Sequence, residues 1–261
     1  MQKSRTIMFI HGLFVTNLCW EEWVKYFEDK GYKCFAPGWP GQNGRTVAEL
    51  RNRHPDKILS ERTFEDLVEH FDFFARSLSE PPILIGHSMG GLIVQLLLQK
   101  GLGSCGVAID SAPPRGLFSL SWPFVRSNFP TINPFTQNPY LMPFSAFQYA
   151  FVNGMPLEEQ MAVYYKHVVP ESLRIARGAL TKIAKIDFEA KCAPLLFVAG
   201  SKDHIIPSSL NYKNCEKYRL HNRSNVINYR KFPGRTHYSV LAGHNWKEVA
   251  DDINIWIRMI C

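Results

Sequence analysis

One stretch of the sequence, residues 81–100, constrains the fold more than any other. It begins with a short apolar run at 83–85 that is too brief for a helix and consists of branched residues. Such a run predicts a buried strand. Gly-His-Ser-Met-Gly-Gly follows at 86–91, and apolar residues at helical spacing continue from there. The stretch therefore predicts a strand, a tight turn and a helix in direct succession.

The glycines around Ser88 make so sharp a turn possible. A serine at its apex must take a strained backbone conformation, and side chains two residues to either side would collide. Glycine stands at both of those positions, Gly86 and Gly90. The turn would project the Ser88 hydroxyl above the end of the strand, where the helix N-terminus and the N–H of Met89 favour a developing negative charge. The alternative is a glycine-rich connection whose serine has no catalytic part.

This turn resembles the nucleophile elbow of the α/β-hydrolase family. The resemblance implies the α/β-hydrolase fold, an α/β architecture in which helices flank a mostly parallel sheet. It also implies a nucleophile, an acid and a histidine that follow successive strands in that chain order. The family's leading antiparallel strands are missing, because the first predicted strand, residues 6–10, already ends in a His-Gly pair. We therefore expect a shortened, mostly parallel sheet.

The His-Gly pair at 11–12 has a counterpart in the resembled family, where the loop after it supplies a backbone N–H to the oxyanion hole. Matched position by position, the resemblance implies Leu13 as this donor and Met89 as the second. Phe14 is the alternative to Leu13. The chemistry needs backbone donors aimed at the developing oxyanion.

The acid and the base of a triad each have a first candidate and a rival. Asp203 follows a buried apolar strand and a glycine, in a G-x-x-D-x-x-x-P context that resembles the surroundings of the family's acid. Asp110, at the end of the strand after the elbow, is the rival. His237 follows the last predicted strand, where the family keeps its general base, and His244 is the rival at the start of the closing helix. We predict Asp203 and His237.

A change of composition divides the chain. Residues 115–191 are rich in Pro, Phe, Tyr and Met, and the alternation of strands and helices stops there. The segment is far longer than a crossover requires. We predict a helical cap at 115–191, with helices at 144–151, 157–165 and 172–186, over a hydrolase core formed by 1–114 and 192–261. Ordinary surface helices that seal the sheet are the alternative.

Aromatic residues are the candidates for substrate binding. We expect a pocket lined by Phe14, by Trp39 in a proline-rich loop near the mouth, and by Trp122 and Phe124 of the cap. The cap's apolar underside is predicted from seven residues, while four basic residues near its end, Arg174 to Lys185, are expected on its solvated face. The seven are Phe118, Trp122, Phe124, Phe129, Phe144, Phe147 and Tyr149.

Composition excludes several other classes of protein. The chain is 46% hydrophobic and 20% charged, which is typical of a globular protein with a sizeable core. No apolar run approaches the roughly 20 residues needed to cross a bilayer, so no stable membrane insertion is expected. The N-terminus leaves no room for a signal segment before the first strand, which predicts a cytoplasmic location.

Charge and cysteine usage give no sign of nucleic-acid binding or of a zinc site. The formal net charge is +7, but the basic residues are spread out and form no nucleic-acid motif, so no nucleic-acid partner is expected. The six cysteines have no spacing typical of a zinc site and are predicted to be free thiols. No metal and no cofactor are predicted, and the oligomeric state stays open.

The predicted function is that of a serine hydrolase. Ser88, His237 and Asp203 would cleave carboxylic esters of small to medium, apolar substrates through an acyl-enzyme intermediate. Lipases, thioesterases, lactonases, carbon–carbon bond hydrolases and perhydrolases of the same fold share these residues and remain alternatives. A serine at the elbow disfavours haloalkane dehalogenases and epoxide hydrolases. A ligand receptor with the same fold and little turnover is the alternative from a different class.

Overall fold

Six parallel strands form one sheet in the computed structural model, which describes residues 4–261. The strands lie in the order β2-β1-β3-β4-β5-β6, and every neighbouring pair is parallel. This confirms the shortened parallel sheet expected from the sequence. The strands are β1 (Thr6–Ile10), β2 (Lys33–Phe35), β3 (Ile83–His87), β4 (Cys105–Ile109), β5 (Leu195–Gly200) and β6 (Ile227–Phe232).

Helices connect the strands, because parallel neighbours require crossover connections. Two short helices and a longer one occupy the connection between β2 and β3. The helices before the elbow strand are α1 (Glu21–Glu28), α2 (Val47–Asn52), α3 (Lys57–Glu61) and α4 (Phe64–Ser77). Those after it are α5 (Met89–Gln99), α6 (Trp122–Ile132), α7 (Phe144–Ala150), α8 (Leu157–His167), α9 (Leu173–Gly178), α10 (Ser208–His221) and α11 (Trp246–Ile260).

The core is centred on the four inner strands. Every residue of β1, β3, β4 and β5 is buried, as expected for a parallel sheet covered on both faces. Helix α5 packs very close to this sheet, since a Cβ added at Gly90 would lie 2.1 Å from the Ile10 carbonyl oxygen. Gly90 therefore permits the close approach of α5 to β1 that sets the position of this helix.

The segment of residues 115–191 lies between β4 and β5 and is called the inserted segment below. It contains α6 to α9. Helix α6 was not predicted, and the predicted helix at 172–186 is shorter than expected: α9 ends at Gly178, and a separate 3-10 turn follows at Lys182–Ala184. Asn128 of α6 donates a hydrogen bond to the Ile205 carbonyl at 2.9 Å, so the inserted segment is tied to the loop after β5.

A disulfide joins Cys105 to Cys261, with 6.3 Å between their Cα atoms. The prediction that all six cysteines are free is therefore wrong for this pair and holds for the other four. The two residues are 156 positions apart, and only the packing of α11 against the sheet brings them together. None of the described helices combines the length and the apolar character that crossing a membrane would require.

Candidate active site

Ser88 occupies the strained turn between β3 and α5. Its φ of 57° and ψ of −118° lie outside the regions that serine ordinarily adopts. Two backbone hydrogen bonds hold it there: its N–H donates to the Ile109 carbonyl at 2.9 Å, and its carbonyl accepts from the Ala112 N–H at 2.8 Å. A Cβ at Gly86 would lie 2.2 Å from the Gly90 oxygen, so the turn needs glycine there.

Asp203 and His237 form a buried pair. The His237 Nδ1 lies 2.7 Å from the Asp203 Oδ2, and both side chains are fully shielded from solvent. The other carboxylate oxygen accepts from the N–H groups of Ile205 and Ile206 at 2.7 and 2.8 Å. A carboxylate held by three donors keeps the histidine proton on Nδ1. The Nε2 of His237 has no hydrogen-bond partner among the described residues and is left as an acceptor.

The residue before the nucleophile positions the histidine backbone. His87 Nε2 lies 2.7 Å from the His237 carbonyl oxygen, and the two rings are 4.5 Å apart between centroids. Since a carbonyl only accepts, the His87 Nε2 carries a proton. Burial holds the pKa of His87 well below its usual value, so the ring stays neutral. This bond couples the loop after β6 to the elbow that carries Ser88.

The two rival residues lie in different surroundings. Asp110 has a φ of 40°, is fully buried beside Asp203, and accepts from the Gly200 N–H at 2.8 Å. Burial, followed by the charge of Asp203, raises the pKa of Asp110 well above its usual value. It is therefore suited to stand as a neutral companion of the charged carboxylate. His244 is exposed, and its carbonyl accepts from the Arg235 guanidinium at 2.7 Å.

The predicted oxyanion donors lie around one cavity. Leu13, Phe14, Met89 and Ser88 all line it. Met89 is the first residue of α5, so its N–H has no acceptor within the helix. The loop after β1 approaches the nucleophile closely, because a Cβ at Gly12 would lie 2.7 Å from the Ser88 Cβ. Phe14 has a φ of 66°, which turns the chain away directly after Leu13.

The cavity above Ser88 has a volume of about 340 Å³. Its walls are mostly apolar and come largely from the inserted segment, and Phe124 is among them. Sequence reasoning missed several other lining residues, because no family motif marks them and only tertiary packing gathers them. They include Leu117, Leu120, Leu180, Ile205 and Ile206.

Two of the predicted substrate-binding residues lie outside this lining. Trp39 is 1% exposed and stacks on the His11 ring, with 4.7 Å between centroids. It is a core residue behind the site. Trp122 is 70% exposed and does not line the cavity. Phe129, also predicted for the underside of the inserted segment, is 56% exposed and lies outside the lining, whereas Phe118 is 64% exposed but lines the cavity.

Three potential metal ligands cluster beside the nucleophile. One ligand atom from each of His87, Asp110 and His237 falls within 4.8 Å of the others. Each side chain already makes a hydrogen bond within the protein, to the His237 carbonyl, the Gly200 N–H and Asp203 respectively. The geometry is that of a hydrogen-bonded network around the histidine.

Comparisons with known proteins agree with this architecture. Residues 7–252 match the profile of the alpha/beta hydrolase family. A thermophilic esterase from Thermogutta terrifontis superposes with a TM-score of 0.70 at 15% identity over 100% of this chain and 92% of its own. A mutant of polyneuridine aldehyde esterase superposes with a TM-score of 0.67 at 16% identity over 97% of this chain and 99% of its own. An Arabidopsis methylesterase superposes with a TM-score of 0.65 at 15% identity over 96% of this chain and 98% of its own. No curated protein matches the sequence.

Proposed function

The chain belongs to the alpha/beta hydrolase family, and we propose that it is a serine hydrolase acting on carboxylic esters of small to medium, apolar substrates. The observation that carries the proposal is the buried 2.7 Å pair of Asp203 and His237, held by His87 against an elbow whose serine faces a cavity. The esterase names of the structural neighbours support the same reaction class.

The first half of the proposed reaction is acyl transfer to the enzyme. His237 Nε2 takes the proton of the Ser88 hydroxyl as the oxygen attacks the ester carbonyl carbon. Asp203 stabilises the resulting imidazolium through Nδ1. The N–H groups of Leu13 and Met89 donate to the oxyanion. His237 then protonates the leaving alcohol, the ester C–O bond breaks, and an acyl-serine remains.

The second half regenerates the enzyme. His237 takes a proton from water, whose oxygen attacks the acyl carbon, and the bond to Ser88 breaks with return of the proton to the serine oxygen. Dipoles fixed before the reaction hold the oxyanion in both halves. Losing one such donor typically costs a factor of about 10²–10³ in turnover. No step of this scheme calls for a metal or an organic cofactor.

The cavity supports a neutral, apolar substrate. Its volume of about 340 Å³ lies at the lower end of the roughly 300–1,000 Å³ range of small-molecule sites. Among the described residues that line it, Arg115 alone carries a charge. The inserted segment supplies most of its wall, and we assign it the role of cap over a core of 1–114 and 192–261.

A graded series of p-nitrophenyl esters tests the proposal. We expect cleavage of short and medium acyl chains, and a loss of about 10³-fold or more in Ser88→Ala, because no other group supplies the nucleophile. Ser111→Ala is the matched control, since Ser111 is a buried serine near the elbow that does not line the cavity. A fluorophosphonate probe should label Ser88 alone.

Two outcomes would contradict the proposal. One is a Ser88→Ala variant that cleaves these esters as fast as the wild type. The other is a wild-type protein that neither reacts with the probe nor turns over any ester of the series. Stabilisation against heat by an ester that is not cleaved would instead favour a ligand receptor.

A further inference from the structure

The inserted segment carries an exposed apolar surface that the proposed reaction does not explain. Six residues between 118 and 132 form it, with exposed fractions from 36% to 82%. Exposed apolar patches of this kind mark interaction sites, whereas single exposed apolar residues are ordinary. We call this surface the apolar face; it consists of Phe118, Leu120, Trp122, Val125, Phe129 and Ile132.

Helix α6 presents its apolar side outward. Trp122, Val125, Phe129 and Ile132 follow one another at intervals of three, four and three residues, which places them within an arc of about 80° on the helix. The buried side instead holds the small polar residues Ser127 and Thr131. A helix that packs on a core buries its apolar stripe. Its orientation here fits an apolar partner outside the chain.

The apolar face also surrounds the mouth of the cavity. Phe118, Leu120, Val125 and Ile132 are exposed to solvent and line the cavity above Ser88 as well. One continuous apolar surface therefore leads from the outside of the protein to the nucleophile. A molecule already dissolved in an apolar phase could enter along it without crossing water.

The two stretches of chain that carry this surface and the helix packed against it contain charges of one sign. No acidic residue lies between Asp110 and Glu158 or between Glu171 and Asp187. These two stretches contain the apolar face and α9, and they carry six basic residues: Arg115, Arg126, Arg174, Arg177, Lys182 and Lys185. The backbone N–H of Arg115, a residue of the cavity lining, donates to the Ala184 carbonyl at 2.9 Å, so the backbone that carries Lys182 and Lys185 lies next to that lining.

We propose that the apolar face docks on the surface of a lipid bilayer with anionic headgroups. An apolar stripe bordered by basic residues is the pattern of an interfacial helix, in which apolar side chains enter the acyl boundary and cations meet the headgroups. A second copy of this chain fits less well, because it would bring two acid-free basic borders together. The passage of lipid-borne esters to Ser88 rests on the proposed function, whereas docking itself does not.

Tryptophan fluorescence gives a specific readout of docking. Of the six tryptophans, Trp122 is 70% exposed and the other five are at most 7% exposed. Acrylamide quenching therefore reports mainly on Trp122. With the Ser88→Ala protein, which cannot consume lipid esters, we expect vesicles of phosphatidylcholine and phosphatidylglycerol to shift the emission to shorter wavelength and protect it from quenching. Phosphatidylcholine alone should do so weakly, and 1 M salt, with its Debye length of about 3 Å, should reverse the effect.

Matched variants separate the apolar from the electrostatic contribution. Phe129→Ser should weaken sedimentation with anionic vesicles about tenfold, whereas Phe73→Ser, which removes a phenylalanine 78% exposed on α4, should change it less than twofold. Lys182→Glu should weaken it more than Lys247→Glu, although both change the net charge equally. Phe129 does not line the cavity, so Phe129→Ser should still cleave a soluble p-nitrophenyl ester.

Three results would overturn the docking proposal: folded protein that stays in solution with anionic vesicles, equal losses in Phe129→Ser and Phe73→Ser, or lipid-independent dimers that already shield Trp122. Vesicle binding by a protein without esterase activity would support docking and contradict the proposed function. Esterase activity without vesicle binding would support the proposed function and contradict docking.

Discussion

Replacing Asp203 by asparagine isolates the charge that the triad requires. An asparagine can still accept from the N–H groups of Ile205 and Ile206 through its Oδ1. Its amide NH₂ would then replace the oxygen 2.7 Å from His237 Nδ1. Two donors cannot face each other, so the ring must give up the proton on Nδ1 and carry it on Nε2. In that tautomer Nε2 cannot accept the proton of Ser88.

The expected loss in kcat is about 10⁴-fold, the usual effect of this change in a serine triad. It corresponds to about 5.5 kcal/mol of transition-state stabilisation at roughly 1.4 kcal/mol per factor of ten. KM should change little, because Asp203 does not line the cavity. Asp110→Asn is the matched control. Because burial and the charge of Asp203 raise the pKa of Asp110 and so favour its neutral form, asparagine is its closest uncharged replacement and can still accept from the Gly200 N–H. We expect less than about a tenfold loss.

The assay is steady-state cleavage of a p-nitrophenyl ester by wild type, Asp203→Asn and Asp110→Asn, with circular dichroism to show that each is folded. Thermal unfolding adds a second readout. A raised folded pKa at Asp110 means that the wild type loses stability as pH rises from about 3.8 towards that pKa, because the unfolded chain releases the proton first. Asp110→Asn lacks this loss and should gain in melting temperature relative to wild type across that range. Comparable kcat losses in the two variants would refute the assignment of the acid.

Four further predictions concern other parts of the structure. His237→Ala should nearly abolish ester cleavage while the exposed His244→Ala keeps it, and the reverse result would transfer the role of base. Gly12→Ala should raise the activation free energy for kcat by more than it lowers the free energy of unfolding measured in urea, because the new methyl group would lie 2.7 Å from the nucleophile's Cβ. Cys261→Ser should lower the free energy of unfolding by up to about 5 kcal/mol, the loop-closure value for a separation of 156 residues, and dithiothreitol should have no further effect on it. Burial lowers the pKa of His11 to about 3, so the unfolded chain takes up a proton below pH 6.5 that the folded chain does not. His11 should therefore account for about 2 kcal/mol of the stability lost between pH 6.5 and 5, and the stability of His11→Gln, measured by urea unfolding, should depend less steeply on pH.

The sheet could be predicted because its signals are local. Each inner strand is a short apolar run bounded by turn residues, and such a run predicts a strand that is buried on both faces of the sheet. The elbow adds a steric signal, since only glycine fits at 86 and 90. The disulfide of Cys105 and Cys261 has no local signal. It depends on where α11 ends on the sheet, which is a property of the whole fold.

In the candidate site, too, some positions follow from a local sequence signal, whereas others depend on tertiary packing. Residues that follow a strand directly, such as Asp203 and His237, have their positions set by the sheet, and the structure brings these two together. Trp39 was expected in the pocket because it lies in a loop near the strand ends. Its ring instead stacks on His11 in the core. A large aromatic side chain in a loop can turn inward or outward with no change in the local sequence pattern.

Helix α6 shows most clearly what periodicity leaves open. Positions 122, 125, 129 and 132 lie on one side of a helix whatever surrounds it. The pattern alone does not say whether that side faces the protein or its environment. The sequence favoured the inward choice for Trp122 and Phe129, since a core is the commonest apolar surrounding. A hydrogen bond from Asn128 to the Ile205 carbonyl instead ties the polar side of α6 to the loop that carries Asp203. The apolar side is turned outward as a consequence, so the contact that ties the inserted segment to the triad also exposes the surface proposed to meet lipid.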